Sequence, residues 1–339
     1  METISGGGNW RLVLRREADR VTILRAGTCD RRAALPDRLF GLPVTALGDH
    51  ALAPGRQPAP DWQPAPGQPS AAGEETLLIT CGLPDPAAAW DNRGLEDLTL
   101  PEGLAAIGSY ALLNCSALKT LRAHDGVARW GGGVLMNCRQ LDTLHLTRMG
   151  ETQGEALAWF AGELSRELDV TIHTPGGGTV RLLFPEYTEL YEENCPAHHF
   201  DYFISGAGYP YHHCFRQKKL QLKEYDALWR DFLGMEHEES AALRLAWRRL
   251  RWPADLGDTA AADYRAYLQA HAGEALRLLL EEEHGEGLSL LLELARPGRE
   301  ELSAACALAR ERGDTAALAL LLEEQHRRFP AGLEKSFTL

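Results

Sequence analysis

The sequence predicts an α+β multidomain protein: a repeat-built β-solenoid, then a small mixed α/β middle segment, then an α-helical repeat domain. Three observations predict this. A unit of 23 residues recurs in register between residues 95 and 146. The composition moves from Gly, Pro, Leu and Thr in the first part to Ala, Leu, Glu and Arg in the last. The charge divides with it: of a total of −13, residues 1–150 carry −1, residues 151–220 carry −5 and residues 221–339 carry −7. The expected boundaries are 1–150, 151–219 and 220–339.

The repeat comes first. Leu95, Leu98 and Leu100 recur as Leu118, Leu121 and Ala123, and again as Leu141, Leu144 and Leu146. Leu104 aligns with Val127, Ile107 with Trp130, Gly108 with Gly131, Ala111 with Val134, and Leu112 with Leu135. Asn114 and Cys115 align with Asn137 and Cys138. The leucine-spaced segment predicts a short strand with inward leucines, and the part from Gly108 to Cys115 predicts the turn that forms the other wall. One such coil cannot bury its apolar side alone, so neighbours must stack. The asparagine amides are expected to satisfy backbone groups at the turn, and the cysteines to stack in the core as small apolar residues.

These residues resemble the BspA-type leucine-rich repeat family over roughly residues 9–147. The segment Leu100 to Cys115, with Pro101, Ile107, Gly108 and Asn114, follows the family pattern. Leu35 to Leu52, with Pro36, Gly41, Leu42 and Gly48, resembles its opening coil. Leu112 and Leu135 depart from it, standing where phenylalanine is usual, and so do Trp130 and the run Gly131 to Gly133. The resemblance implies binding rather than catalysis.

A proline-rich insertion, residues 54–73, separates the opening coil from the rest and lacks the apolar content to pack a core. It is expected to be an extended excursion, with a proline-motif ligand as the sharper reading. Leu77 to Thr80 is expected to resume the solenoid as a strand.

In the middle segment, Gly154 to Leu168 predicts an amphipathic helix, with Leu157, Trp159, Phe160 and Leu164 at helical spacing. That helix is expected to cover the end of the solenoid. Asp169 to Thr174 and Thr179 to Phe184 predict two strands joined at Pro175 to Gly178. The three glycines lack the lysine and following helix of a phosphate loop. The next stretch, to Gln217, is dense in aromatics and holds Cys195, His198, His199, His212, His213 and Cys214. Cys195, His198, His212 and Cys214 are the candidate zinc ligands, in an order that matches no standard pairing. A Cys/His nucleophile is the other chemical reading. The plainer readings are a loop-rich aromatic patch, or a recognition surface of Tyr202, Phe203, Tyr209, Tyr211 and Phe215.

From Leu220 onward the pattern is helical. Tyr225, Leu228, Trp229 and Phe232 form one stripe, and Leu243, Ala246, Trp247 and Leu250 another. Trp252 and Pro253 end that second helix. Further helices are expected around Tyr264 to His271, Ala275 to Glu283, Gly287 to Ala295, Arg299 to Arg312 and Thr315 to Phe329. Leu302 to Glu323 resembles an ankyrin helix pair, with small alanines at the contact and Gly313 at the break. It departs from that family in lacking the Thr-Pro-Leu-His opening.

Function follows from what these parts can do. The leading expectation is a non-catalytic protein–protein interaction scaffold. Asp97, Thr99, Thr120, Arg122, Thr143 and His145 alternate with the inward leucines and form the expected binding face. The alternative is a metal-binding or thiol enzyme centred on residues 195–214. No cofactor is expected, neither nucleotide, flavin nor haem. The negative balance argues against a nucleic-acid partner, and no apolar run has the length of a membrane span. The polar Met1 to Trp10 stretch reads as no export signal, and with seven cysteines the expected setting is the reducing cytoplasm. A basic partner, if one exists, is expected on the acidic middle and helical parts.

Overall fold

The computed structural model describes residues 7–55, 74–81, 89–150, 153–194 and 199–330. The chain divides into two compact units, residues 1–228 and 229–339. Among the described residues, no helix is long and apolar enough to cross a membrane.

The first unit opens with an antiparallel hairpin, β1 (Trp10–Arg16) and β2 (Val21–Gly27). The first coil follows as β3 (Arg32–Ala34), β4 (Arg38–Leu39) and β5 (Leu42–Leu47). After β6 (Glu74–Ile79), the later coils each pair a longer strand with a two-residue one. These are β7 (Asp97–Thr99) with β8 (Ala106–Ile107), and β9 (Thr120–His124) with β10 (Arg129–Trp130). Then come β11 (Thr143–Thr147), α1 (Ala156–Glu163), β12 (Leu168–His173) and β13 (Thr179–Phe184).

The result is a β-solenoid of about five turns. One wall is a six-stranded sheet in the order β13-β12-β11-β9-β7-β3. The other runs β10-β8-β5-β2-β1-β6, with β4 paired to β5. The 23-residue period appears directly as register: Leu98 pairs with Leu121 and Leu121 with Leu144, each in parallel. These leucines are fully buried between the walls, as are Leu95, Leu118 and Leu141. Each such leucine contributes about 1.5–3 kcal/mol of burial. Cys115 and Cys138 stack in the core as expected, their thiols donating to the carbonyls of Leu52 and Leu112 at 3.5 and 3.3 Å.

Several expectations are corrected. The Asn114 and Asn137 amides do not satisfy the turn backbone. Both residues sit in the left-handed region (φ 63° and 62°), and Asn137 donates to the Asn114 side chain at 2.8 Å. Asn92 does satisfy backbone: it donates to the Ala26 and Leu52 carbonyls and accepts from the Thr28 amide. By contrast, the strand expected around Leu77 is present: β6 joins the other wall at its edge, paired antiparallel with β1. Most of the proline-rich insertion, residues 56–73, lies outside the described residues.

Helix α1 is shorter than expected. It stops at Glu163 because Leu164 turns extended (φ −114°, ψ 121°) and leads into β12. It covers the turn wall, packing Phe160 edge-on against Trp130 at 4.8 Å. On the strand wall the sheet continues instead, since β12 pairs parallel with β11, and β13 closes it antiparallel.

The rest of this unit comprises β14 (Thr188–Asn194), β15 (His199–Ser205), α2 (Tyr209–His212), β16 (Phe215–Arg216), β17 (Lys219–Leu220) and α3 (Leu222–Ala227). The Tyr225 hydroxyl, from α3, donates to the Leu183 carbonyl at 2.5 Å and so ties α3 to β13.

The described residues of the second unit form helices: α4 (Trp229–Gly234), α5 (Glu239–Arg251), α6 (Asp258–Ala270), α7 (Ala272–Glu282), α8 (Leu288–Ala295), α9 (Arg299–Glu311) and α10 (Thr315–Arg328). The expected stripe from Tyr225 to Phe232 is thus split between α3 and α4. Gly313 (φ 70°) breaks α9 from α10, and the Asp314 carboxylate caps α10 by accepting from the Ala317 amide at 2.9 Å. Each helix packs on near neighbours in the chain, α9 on α7 and α10, α6 on α5 and α8.

Candidate functional site

The outward side of the six-stranded wall carries the expected binding residues. Alternation along each strand sends Leu98, Leu121, Leu144 and Val170 inward and their neighbours out. Register then lines the outward residues into rows across the strands. One row runs Asp97, Thr120, Thr143, Asp169. The next runs Thr99, Arg122, His145, Thr171, Arg181. A third runs His124, Thr147, His173, Thr179. All six expected residues, Asp97, Thr99, Thr120, Arg122, Thr143 and His145, therefore lie on one surface, each half-buried. The sequence reading missed His124, Thr147, Thr171, His173 and Arg181. The signal for the last three was present in the alternation of 169–174 and 179–184, but nothing in it placed those strands in this sheet.

Diagonal ion pairs brace the face. Arg122 Nη1 donates to Asp97 Oδ1 at 2.6 Å, and Arg181 Nη2 to Asp169 Oδ2 at 3.1 Å. His145 lies between them, its ring stacked on His173 with centroids 6.4 Å apart and planes 6° from parallel. Burial holds the His145 imidazole below its ordinary value, and the nearby Arg122 and His173 act in the same direction. A cleft of about 190 Å³ opens here, lined by Thr99, Leu100, Arg122, Ala123, His124, His145, Thr147 and His173.

The Cys/His segment is arranged differently. Cys195 and His198 lie outside the described residues. His212 is a core residue: Nδ1 lies 2.9 Å from the Ala161 carbonyl and Nε2 3.0 Å from that of Pro185. A neutral imidazole donates to one of these carbonyls, and both ring nitrogens face backbone oxygen. Desolvation holds this imidazole below its ordinary value. The Cys214 thiol donates to the Tyr211 carbonyl at 2.9 Å, and burial pushes its pKa up to about 12. Such a thiol is a poor nucleophile at neutral pH. Among the described residues no group of three His, Cys, Asp or Glu side chains is placed to hold a metal ion.

The expected aromatic surface is divided as well. Tyr211 is buried against Tyr225, at 4.7 Å between centroids, and belongs to the core. Tyr209 and Phe215 are half-buried. Only Tyr202 and Phe203 of the five stand exposed, at 46% and 51%.

No protein-family model and no curated protein matches the chain. Among solved structures it is similar to a leucine rich cell surface protein from Faecalibacterium prausnitzii A2-165, at 17% identity and a TM-score of 0.27. The match covers 52% of this chain and 40% of that one. A likeness so distant assigns no function. The solenoid rests on the strand register described above.

Proposed function

We propose that this protein is a non-catalytic protein–protein interaction scaffold, and that the outward side of the six-stranded wall is its binding face. The observation that supports this is the continuity of polar side chains, half-buried and in register, across β7, β9 and β11. A solenoid separates the two tasks: inward residues hold the coil, and outward ones are free to serve a partner. The Leu100-Pro101 and Ile107-Gly108 steps, and the Asn-Cys step repeated at 114–115 and 137–138, support a BspA-like leucine-rich repeat. The α9–α10 pair, with its alanine contacts, left-handed Gly313 and Asp314 cap, supports an ankyrin-like reading of the helical unit. Among the described residues, Cys29, Cys81, Cys115, Cys138, Cys214 and Cys306 are free thiols, in keeping with the cytoplasm. The acidic balance supports a protein partner over nucleic acid.

The test is affinity capture with the intact chain and with Arg122→Glu and His145→Glu, each confirmed as folded by circular dichroism. Partners held by this face are lost from both variants. An unchanged set of partners removes the face from the proposal.

A further inference from the structure

Resting on that reading, we infer that the cleft beneath His145 is a carboxylate-binding site, and that the segment it takes is an acidic peptide of a partner protein. The lining carries the inference. Its polar side chains are three imidazoles, one guanidinium and two hydroxyls, from His124, His145, His173, Arg122, Thr99 and Thr147. Each of these can donate a hydrogen bond, and four of them can carry positive charge. No carboxylate lines the cleft. The two acidic residues of the face, Asp97 and Asp169, point into ion pairs with Arg122 and Arg181 beside it. Arg122 gives one nitrogen to Asp97 yet remains 42% exposed and still lines the cleft.

Shape and charge favour a peptide over a free anion. The face continues past the cleft through Thr120 and Thr143, whose hydroxyl oxygens can accept from the backbone amides of an extended segment; the Thr143 hydroxyl itself donates to Asp142 at 2.8 Å. The chain as a whole is acidic, but residues 1–150, which supply β7, β9 and β11, are nearly neutral at −1.

The site is pH-dependent by construction. A carboxylate against His145 favours the imidazolium, and so do Asp97 and Asp169; Arg122, His173 and desolvation oppose it. His124 and Arg181 complete the charged groups of the surrounding strands. The free imidazole sits below its ordinary value of 6.5, so bound protons are gained as the peptide docks. Binding therefore tightens as pH falls from about 8 to about 5, a range in which glutamate stays largely ionised.

The experiment is fluorescence anisotropy of a labelled hexaglutamate peptide with the full chain, at about pH 8 and about pH 5. The expected result is affinity at least about tenfold tighter at the lower pH. His145→Gln and His173→Gln each reduce that pH difference, Arg122→Gln weakens binding at both values, and His271→Gln, in the other unit, changes neither. Proton NMR then shows the His145 pKa rising on addition of the peptide. Absence of binding, equal binding at both pH values, or loss of the pH difference in the His271 variant overturns the inference. So does displacement of the peptide by inorganic phosphate at equal concentration, which reassigns the cleft to a free anion. If hexaglutamate fails while Arg122→Glu still loses a captured partner, the scaffold reading stands and only the carboxylate site falls.

Discussion

A methyl group added at Gly131 would lie 2.3 Å from the Ser109 backbone nitrogen, and one at Gly108 would lie 2.5 Å from that of Asp49. The repeated glycine exists because coils stack backbone on backbone at this corner. Gly132 has open space around it, whereas Gly133 is left-handed (φ 62°) with the Tyr110 ring 2.6 Å from the position of its absent Cβ. Three adjacent glycines therefore respond differently to alanine. Gly131→Ala should cost about 1–3 kcal/mol through overpacking. Gly133→Ala should cost about 1–3 kcal/mol through backbone strain. Gly132→Ala should stay within about 0.5 kcal/mol. Urea unfolding of the three variants measures this, and a Gly132 variant as unstable as the Gly131 one contradicts it. The sequence showed Gly108 and Gly131 as a repeated feature. It could not show the reason, since the neighbour that excludes a side chain lies one coil away. Asn114 and Asn137 teach the same lesson: the turn was legible, but their partner was each other.

At the scale of elements, periodicity served well and pairing did not. The two strands around Pro175 to Gly178 were legible from alternation and a glycine loop. Their joining of the solenoid wall was not, because alternation says which face is apolar and nothing about which strand lies beside it. The β1–β2 hairpin was passed over, although Trp10, Leu12, Leu14, Val21 and Ile23 alternate inward. The helix between β11 and β12 was foreseen as a cover, and its last residue gives it a second task. The Glu163 carboxylate accepts from Trp130 Nε1 at 2.7 Å and from the Leu135 amide at 2.8 Å. It thus occupies a backbone donor of the last turn. Glu163→Ala leaves both donors without that partner and should destabilise the protein by about 1–3 kcal/mol. Hydrogen exchange at the Leu135 amide should quicken with it, and unchanged protection there counts against α1 as the cover of the turn wall.

At the scale of the whole molecule, the thiols give a map that one experiment can read. Cys81 is exposed, while Cys115, Cys138 and Cys214 are buried, with burial pushing Cys138 and Cys214 up to about 12 and Cys115 well above its ordinary value. Alkylation of the native protein at about pH 8, followed by peptide mass mapping, should mark Cys81 and spare those three until denaturant is added. Modification of Cys115 or Cys138 in the native chain contradicts the stacked core. The charge division was legible from counting alone. That Asp97, Thr99, Thr120, Arg122, Thr143 and His145 share one outward side was legible, because repeats print their own register. The remaining residues of that side come from strands with a different spacing, where no repeat supplied the alignment.

The reversal at β13 has a consequence for how such a protein changes in size. A stack of parallel coils has no intrinsic length, and each end invites another coil. Here β13 runs backward along the final edge, and α3 is fastened over it by Tyr225. Growth at that end is closed. Between β7 and β11, by contrast, every joint has the same 23-residue step and the same leucine register. Duplication of one coil there would lengthen the molecule while leaving both termini as they are. The number of coils, and with it the width of the outward face, is a variable that evolution or an engineer can set from the middle.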